Sequence, residues 1–342
     1  VIAEGEKLLK IIEELDKDIS FSLTDYPWGC EYYKKTGRMA DEGFMDTLKD
    51  YDAIYLGAVG APDVKDHISL RELLLKIRRG FDEYVNLRPV KLLNTDICPL
   101  KNITSTDQID MTVVRENSEG EYAGVGARLY EGREDEMALQ TGVFSKKGTE
   151  RIIRYAFELA RKENKTLTSI SKGNALNYSM VFWDETFERI AKEYPDVKTY
   201  TCLVDAASMF FVKDPARFQI IVTSNLFGDI ITDLGAAIAG GMGLAAGANI
   251  NPEKKYPSMF EPIHGSAPDI AGQGKANPMA ALWSVSQMMD HFGRTDIGKA
   301  IIDAIKAVID EKKYVPYDMG GNASTEEVGK AVCDKFREIY AK

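Results

Sequence analysis

The chain has 342 residues, of which 44% are hydrophobic and 28% charged, and its formal net charge is -10. This length is enough for two globular domains. The acidic balance excludes non-specific nucleic-acid binding and a polybasic membrane contact, because both depend on basic surface.

Membrane and secretion signals are missing from the sequence, and its cysteines point to a reducing compartment. No apolar run approaches the ~20 residues of a membrane span, and no signal-peptide pattern is found. The four cysteines are scattered without a CxxC pair, which indicates buried, reduced thiols in a cytoplasmic protein. The three histidines are too few for a His-rich zinc site.

Helical periodicity begins at Val1, whereas an α/β chain usually opens with a strand, so we expect that a leading segment is absent. Strand-like and helix-like segments then alternate, which predicts an α/β fold with a largely parallel sheet and helical crossovers. The predicted strands cover 52–56, 84–93, 111–115, 167–171, 200–204 and 218–223, and the predicted helices cover 69–79, 150–163, 181–194, 297–312 and 326–341.

Two segments depart from this alternation. Pro89 lies within 84–93 and cannot donate a backbone hydrogen bond, which predicts an edge strand or a bend there. Residues 120–142 are rich in glycine and polar side chains, and they predict a protruding arm rather than core.

Polar residues follow three of the predicted strands. Lys172, Asp205 and Asn225 lie just past or near the strand ends, where open α/β sheets place their ligands. On residue type alone, Lys172 is a substrate ligand, a desolvated base or a plain surface lysine. Asp205 can equally cap the next helix.

Asp229 and Asp233 lie four residues apart in the run SNLFGDIITDLG, which opens a helix after a buried strand. At this spacing the two carboxylates share one helix face and repel each other. A divalent cation with oxygen ligands would hold them together. The alternative for an isolated DxxxD pair is a solvated acidic face.

Three arginines and a tyrosine follow or interrupt apolar stretches. Arg78, Arg88 and Arg115 lie at element ends and could together bind a substrate with two carboxylates, because guanidinium pairs with carboxylate bidentately. Tyr122 follows Arg115 by seven residues. As a proton donor it needs a suitable environment, and on sequence alone a packing tyrosine is favoured.

Two glycine-rich stretches have different interpretations. GGMGLAAG, at 240–247, contains GxGxxA but follows a helix instead of a strand, so we interpret it as a loop and not as a dinucleotide fingerprint. Residues 260–278 form a long loop that three prolines stiffen. Its many polar groups suit a loop that embraces a cofactor.

The segments VRENSEGEY, SNLFGDIITDLG and FEPIHGSAPDIAGQGKANP, with the KIRR-to-NLRPVK spacing, together resemble the β-decarboxylating dehydrogenases. These metal- and NAD(P)-dependent oxidoreductases make up the isocitrate/isopropylmalate dehydrogenase family. DHISL, FDEYVNLRPVKLL, GARLYEG and LVDAASMFFV resemble its tartrate/D-malate branch. The resemblance covers nearly the whole chain, although the family's opening strand and GDGIGPE-like turn do not precede Val1.

The resemblance implies an isopropylmalate-dehydrogenase-like two-domain fold. Residues 1–98 and 240–342 would form the large cofactor-binding domain, and 99–239 a smaller domain with the dimer interface and arm. It also implies a homodimer whose active sites are shared between subunits.

The resemblance further implies a role for each matching residue. Arg78, Arg88 and Arg115 would bind the substrate carboxylates, and Tyr122 would protonate the enolate carbon after CO2 leaves. Mg2+ or Mn2+ would be held by Asp229 and Asp233 with Asp205 of the partner subunit, and Lys172 of the partner subunit would help to take the C2 hydroxyl proton. The residues expected to contact the dinucleotide are Glu261, His264, Gly265, Ser266, Ala267, Asp269 and Asn277.

The implied activity is NAD-dependent oxidation of a small 2-hydroxy dicarboxylic acid: D-malate to pyruvate and CO2, tartrate oxidation, or both. Asp269 favours NAD, because a carboxylate beside the ribose repels a 2′-phosphate. One alternative is 3-isopropylmalate dehydrogenase, for which Leu74 and Leu75 could line an apolar pocket. The other is a catalytically silent regulatory subunit, and the retention of Tyr122, Lys172 and the three aspartates counts against it.

Overall fold

Helices and strands alternate along residues 1–341, which are the residues that the computed structural model describes. Their α-helices are Ile2–Leu15 (α1), Cys30–Thr36 (α2), Phe44–Leu48 (α3), Asp66–Ser69 (α4), Leu75–Gly80 (α5), Lys146–Glu163 (α6), Ser179–Ala191 (α7), Val204–Lys213 (α8), Asn225–Ile238 (α9), Met279–His291 (α10), Thr295–Glu311 (α11) and Thr325–Tyr340 (α12). Their strands are Ala53–Tyr55 (β1), Val85–Lys91 (β2), Asp110–Glu116 (β3), Gly120–Leu129 (β4), Met137–Val143 (β5), Leu167–Ser171 (β6), Thr199–Leu203 (β7), Ile220–Thr223 (β8), Ala246–Ile250 (β9) and Ser258–Pro262 (β10). A π-helical turn, Leu70–Leu74, joins α4 to α5.

Eight of these strands form one mixed sheet in the order β1-β10-β9-β2-β3-β8-β6-β7. The pairs β1–β10, β3–β8, β8–β6 and β6–β7 are parallel, whereas β10–β9, β9–β2 and β2–β3 are antiparallel. The predicted α/β class is therefore confirmed. The sheet is more mixed than predicted, because β9 and β10 extend into the segments 240–247 and 260–278, which were expected to be loops.

Pro89 does not mark an edge strand, so that part of the prediction was wrong. Strand β2 lies in the middle of the sheet, between β9 and β3. Its pairing with β9 covers only Val85, Asn86 and Leu87. Beyond Leu87, β2 is not paired with β9. The missing backbone N–H of Pro89 therefore costs no hydrogen bond between these two strands.

The inner strands of the sheet are covered on both faces, and β6, β8, β9 and β10 are buried along their whole length, whereas the edge strand β7 is partly exposed. In β8, Ile220 and Val222 belong to the core cluster that includes residues of α6, α7 and the C-terminal helices, whereas Ile221 belongs to a second cluster with residues of α8 and α9. In β10, Phe260 belongs to the first of these clusters, and Met259 belongs to a third cluster with residues of α2, α3 and α5. Each fully buried side chain of this size contributes about 1.5–3 kcal/mol to stability.

The carboxyl ends of the parallel strands β3, β8, β6 and β7 meet at one edge of the sheet. Lys172 follows β6 directly, and Asp205 lies in the first turn of α8, which begins as soon as β7 ends. Asn225 begins α9 one residue after β8 ends. The predicted placement of these three residues past strand ends is confirmed.

The arm predicted at 120–142 is also confirmed. Strands β4 and β5 form a separate antiparallel hairpin whose apolar side chains are largely exposed. The division into domains 1–98 plus 240–342 and 99–239 stays a prediction, since the main sheet runs through both parts.

The other expectations from composition concern cysteines and membrane spans. Cys30 and Cys333 are buried, Cys98 and Cys202 are half-buried, and all four are free thiols. Within residues 1–341, no helix combines the length and apolar character needed to cross a membrane.

Candidate active site

The three arginines expected to bind carboxylates are buried, and each pairs with an acid. Arg78, in α5, places Nη2 2.7 Å from Oε1 of Glu261. Arg88, on β2, places Nη1 3.2 Å from Oδ1 of Asp229, and Arg115, on β3, donates to the same oxygen. The structure therefore brings Arg88 and Arg115 together around one carboxylate at the start of α9.

Asparagine side chains connect Arg78 to the other two arginines. Asn249 donates to Glu261 Oε1 (2.8 Å), Asn86 donates to Asn249 Oδ1 (3.0 Å), and Arg88 Nε donates to Asn86 Oδ1 (2.7 Å). Sequence analysis missed both asparagines. The available signal was that Asn86 stands two residues before Arg88, so the two side chains lie on the same face of β2.

Residues of α9 complete the network: Asn225, which the sequence placed near a strand end, and Thr232, which was not predicted. Arg88 Nη1 donates to Thr232 Oγ1 (2.7 Å), and Arg115 Nη2 donates to Asn225 Oδ1 (2.7 Å). Both acceptors lie in the SNLFGDIITDLG run that the two aspartates had already singled out. Fixed acceptors of this kind hold each guanidinium in one orientation.

Positive charge exceeds negative charge in the buried part of this network. Burial lowers the pKa of Arg88 and of Arg115, because each charge is removed from water. Burial alone would raise the pKa of Asp229, but Arg115 and Arg88 together hold it below its ordinary value. Burial raises the pKa of the neighbouring Glu83 well above its ordinary value, which favours its neutral form, so three guanidinium groups face the charges of Glu261 and Asp229 and the remaining positive charge favours an anionic ligand.

Tyr122 reaches this network from the base of the arm. Its hydroxyl donates to Oδ2 of Asp229 (2.8 Å), and the guanidinium of Arg115 lies 5.5 Å from the centre of its ring. Burial, and after it the charge of Asp229, raises the pKa of Tyr122. The phenol is therefore protonated at neutral pH and has a proton to donate.

Asp233 lies one turn of α9 beyond Asp229, on the solvent side. Partial burial raises the pKa of Asp233, and the negative charge of Asp229 acts in the same direction. Among residues 1–341, no basic side chain forms an ion pair with Asp233. Its carboxylate is thus available to a cation.

Lys172 and Asp205 form a pair of their own, with Nζ 2.7 Å from Oδ1. The hydrogen bond from Lys172 lowers the pKa of Asp205. In the described part of the chain, no three His, Cys, Asp or Glu side chains are grouped as metal ligands. Asp205 therefore does not complete a three-carboxylate site with Asp229 and Asp233 of its own chain.

The expected cofactor loop follows β10. His264 Nδ1 lies 3.0 Å from the carbonyl oxygen of Gly265, and the buried Nε2 atom has no partner within residues 1–341. Ala267 adopts a left-handed conformation (φ 44°), and Asp269 follows in an exposed 3-10 turn. Ser266 lies against the glycine turn after β1, where its Oγ would stand 3.1 Å from a Cβ at position 60.

Two residues of the expected cofactor set also have structural contacts. Glu261 lies in the arginine network described above. Asn277 accepts a hydrogen bond from the amide of Met279 (3.0 Å) at the start of α10, and it donates to Asp318 (3.2 Å). GGMGLAAG follows α9, as expected, but it is not wholly a loop, because a 3-10 turn covers Met242–Leu244 and β9 begins at Ala246.

The family model and the relatives described next show that the chain is a decarboxylating dehydrogenase, an oxidoreductase that acts on CH–OH groups. The family model "Isocitrate/isopropylmalate dehydrogenase" matches residues 1–332, so the chain belongs to this family, as predicted. Members generally use NAD(P) and a divalent metal ion, act on small dicarboxylates and are often dimeric.

Relatives and a solved structure resemble the chain over nearly its full length. A probable tartrate dehydrogenase/decarboxylase of Bacillus subtilis is 46% identical over 99% of this chain and 95% of that protein. The D-malate dehydrogenase (decarboxylating) of Escherichia coli is 47% identical over 97% of this chain and 94% of that protein. The crystal structure of isocitrate dehydrogenase from Methylococcus capsulatus superposes with a TM-score of 0.88 at 32% identity, covering 98% of this chain and 95% of that one.

Proposed function

We propose that the protein oxidises a small 2-hydroxy dicarboxylic acid with NAD and Mg2+ or Mn2+, converting D-malate to pyruvate and CO2, oxidising tartrate, or both. The observation that carries the proposal is the buried trio of arginines, of which Arg88 and Arg115 share Asp229 with Tyr122 and Arg78 pairs with Glu261. The names of the relatives in B. subtilis and E. coli support these substrates.

The arginines suit the two carboxylates of such a substrate. Each guanidinium can bind a carboxylate through two parallel hydrogen bonds, and bidentate pairing of this kind also fixes orientation. Arg78 comes from α5, whereas Arg88 and Arg115 lie on neighbouring strands. The substrate would be held from these two directions.

Gly228→Ala is expected to weaken substrate binding. Gly228 lies in α9 against Arg115, and a Cβ there would stand 2.6 Å from Arg115 Cγ. Because Arg115 is buried on all sides, the added methyl group should displace it, raise the KM for the hydroxy acid and cost about 1–3 kcal/mol of stability. Thermal unfolding and steady-state kinetics measure the two effects.

Gly235→Ala provides a matched control on the same helix. A Cβ at Gly235 would stand 2.7 Å from Val90 Cγ2, so the overpacking is comparable but apolar. This variant should lose stability and keep the KM of the unaltered protein. Equal changes of KM in both variants would show that Arg115 does not bind the substrate.

Asp229 and Asp233 are suitable ligands for a divalent cation. A single chain supplies these two carboxylates of the proposed site and not the third. Carboxylate oxygens are the ligands that Mg2+ and Mn2+ prefer. Asp233 has a free carboxylate, and Asp229 lies on the same helix face one turn away. We assign the third carboxylate to Asp205 of the partner subunit.

Lys172 and Tyr122 would carry the two proton transfers. When bound, NAD would supply a hydride acceptor for C2, and a cation held by the aspartates would supply Lewis-acid stabilisation of the developing negative charge. Lys172 of the partner subunit takes the proton of the C2 hydroxyl. Tyr122 returns a proton to the enolate carbon once CO2 has left, and its raised pKa keeps that proton available until this step.

A homodimer follows from this proposal, because Asp205 and Lys172 are assigned to the active site of the partner subunit. Exposed apolar side chains support the dimer. Leu139 and Val125 on the arm are about half exposed, at 54% and 49%. Ile230 on α9 (55%) and Met209 on α8 (45%) are similarly exposed, near the ends that carry Asp229 and Asp205. Clusters of this kind on a monomer surface mark protein contacts.

The packing of Leu74 counts against 3-isopropylmalate as the substrate. Leu74 packs against the core cluster that includes residues of α2, α3 and α5, and Leu74 and Leu75 are both half-buried, so little of either side chain is left to line an apolar pocket. A silent regulatory subunit would not need the hydrogen bond from Tyr122 to Asp229, which this chain has.

An assay panel tests the proposal. NADH formation is measured with D-malate, the tartrate isomers, 3-isopropylmalate and isocitrate, each with and without Mn2+, and with NADP in place of NAD. We expect turnover with D-malate or tartrate, only with the cation, and a higher kcat/KM with NAD because Asp269 repels a 2′-phosphate. Turnover confined to 3-isopropylmalate or isocitrate, or a preference for NADP, would contradict it.

A further inference from the structure

Tyr122 lies in an irregular part of the arm. Strand β4 pairs with β5 at Gly120 and again from Val125 onwards, and the register shifts between these two positions. Gly120 and Gly124 both have positive φ angles, 72° and 79°, a conformation that glycine adopts without strain. The backbone that carries Tyr122 is therefore released from the ladder that orders the rest of the arm.

Two side chains replace the missing ladder contacts. Gln140 Nε2 donates to the carbonyl oxygen of Glu121 (2.6 Å), and Arg79 Nη2 donates to the carbonyl oxygen of Tyr122. The guanidinium of Arg79 also lies over Gly124, where a Cβ would stand 3.6 Å from Nη1. Within residues 1–341, Arg79 forms no ion pair, so the backbone of Tyr122 is its principal polar contact.

Helix α5 thereby connects two parts of the site. Arg78 and its neighbour Arg79 lie near the end of this helix, and Arg78 turns into the buried network while Arg79 turns to the arm. Tyr122 is consequently held at two points, its hydroxyl by Asp229 of α9 and its backbone by Arg79 of α5. If the oxygen atoms of Asp229 bind a cation, the hydrogen bond from the Tyr122 hydroxyl depends on that cation, whereas the contact of Arg79 with the Tyr122 backbone does not.

We propose that Arg79 is a positioning residue for the protonation step, which fixes Tyr122 relative to the substrate held by Arg78. The inference rests on the proposed function. In that step the phenol O–H bond breaks, a C–H bond forms at the enolate carbon, and the phenolate regains a proton from water. Arg79 touches neither the substrate nor the cofactor, and it acts only through the backbone of Tyr122.

Arg79→Met tests this proposal. A displacement of about 1 Å at a reacting group can cost about 100-fold in rate, so kcat with D-malate should fall about 10- to 100-fold. The KM for D-malate should change little, because Arg78 is untouched. The solvent deuterium isotope effect on kcat should increase as protonation becomes slower, and Arg79→Lys, which keeps one donor, should recover part of the rate.

Arg71→Met provides the matched control, since it removes a neighbouring positive charge from the π-helical turn before α5. It should leave kcat, KM and the isotope effect unchanged.

A lower kcat with an unchanged isotope effect in Arg79→Met would show a merely structural role and overturn the proposal. A crystal structure of Arg79→Met in which Tyr122 keeps its position would also overturn the proposal. That structural result does not depend on whether the unaltered enzyme is active in the substrate panel. Inactivity of the unaltered enzyme on every hydroxy acid would instead overturn the proposed function, and the position of Tyr122 in the variant would still decide the inference.

Discussion

Mixed dimers of Lys172→Met and Tyr122→Phe subunits are expected to recover activity that neither variant has alone. Loss of a general acid or base costs about 10²–10⁴-fold, so each variant by itself should be nearly inactive. If Lys172 serves the site of the other subunit, a mixed dimer contains one intact site and one doubly altered site. Random exchange then gives about a quarter of the turnover of the unaltered enzyme.

The structural basis of this expectation is the separation of two groups of residues. The hydroxyl of Tyr122 donates a hydrogen bond to Asp229, within the arginine network. Lys172 instead pairs with Asp205, which lies outside that network. The measurement is D-malate turnover after subunit exchange, with differently tagged subunits to confirm that mixed dimers form.

Tyr122→Phe mixed with Asp229→Asn is the control for the mixing experiment. Both changes lie in the half-site of one chain, so no mixed dimer contains an intact site and activity should stay absent. If Lys172→Met with Tyr122→Phe also stays inactive while mixed dimers form, the shared-site arrangement is wrong. If both mixtures recover, Tyr122 and Asp229 do not act in the same site.

Asp233→Asn is expected to abolish cation-dependent turnover and to leave the fold intact. Asp233 is exposed and has no ion pair within residues 1–341, so its neutral isostere leaves no buried charge unpaired. We expect activity to fall about 10³-fold, with Mn2+ affinity reduced about 10- to 100-fold. Calorimetric titration with Mn2+ gives the affinity, and the shift of Tm with Mn2+ checks it independently of turnover.

Asp229→Asn should show a different combination of effects. Its carboxylate neutralises the buried Arg88 and Arg115 but is itself 36% exposed, so its removal should cost less than the about 3–5 kcal/mol of a fully buried pair. This variant should therefore lose both Mn2+ binding and stability. Glu185→Gln, an exposed change on α7, should alter neither property.

Chelation gives the simplest form of the same test. Enzyme stripped of divalent cations should not oxidise its hydroxy acid, and added Mn2+ should restore the rate. Undiminished turnover in the presence of chelator, together with normal Mn2+ affinity in Asp233→Asn, would remove both aspartates from the mechanism.

Local periodicity was sufficient to predict much of the sheet and the sites at its edge. Strands such as Leu167–Ser171 and Thr199–Leu203 were predicted close to their observed bounds, and the chemistry-bearing residues Lys172 and Asp205 follow within two residues of their ends. The strand at 258–262 was missed, because Pro262 and the turn-forming residues after it favour a loop. Only pairing with β9 and β1 makes this segment a strand.

The connections among the site residues could not be predicted from the sequence. Asn86 and Asn249 are 163 positions apart, and their hydrogen bond depends on β2 and β9 lying side by side. The contact of Arg79 with Tyr122 likewise depends on where the arm leaves the sheet. Long-range pairing of this kind leaves no trace in a local pattern, although each polar side chain involved is visible in the sequence.

The relay Arg78–Glu261–Asn249–Asn86–Arg88 runs mainly across adjacent strands in the middle of the sheet, not through the loops at its rim. The proposed recognition of the acid groups is consequently built into the central strands β2, β9 and β10, together with Arg78 at the end of α5. The arm is a separate hairpin outside this sheet. A change in the arm could therefore alter which hydroxy acid is accepted, while the contacts to the charged ends of the substrate stay the same.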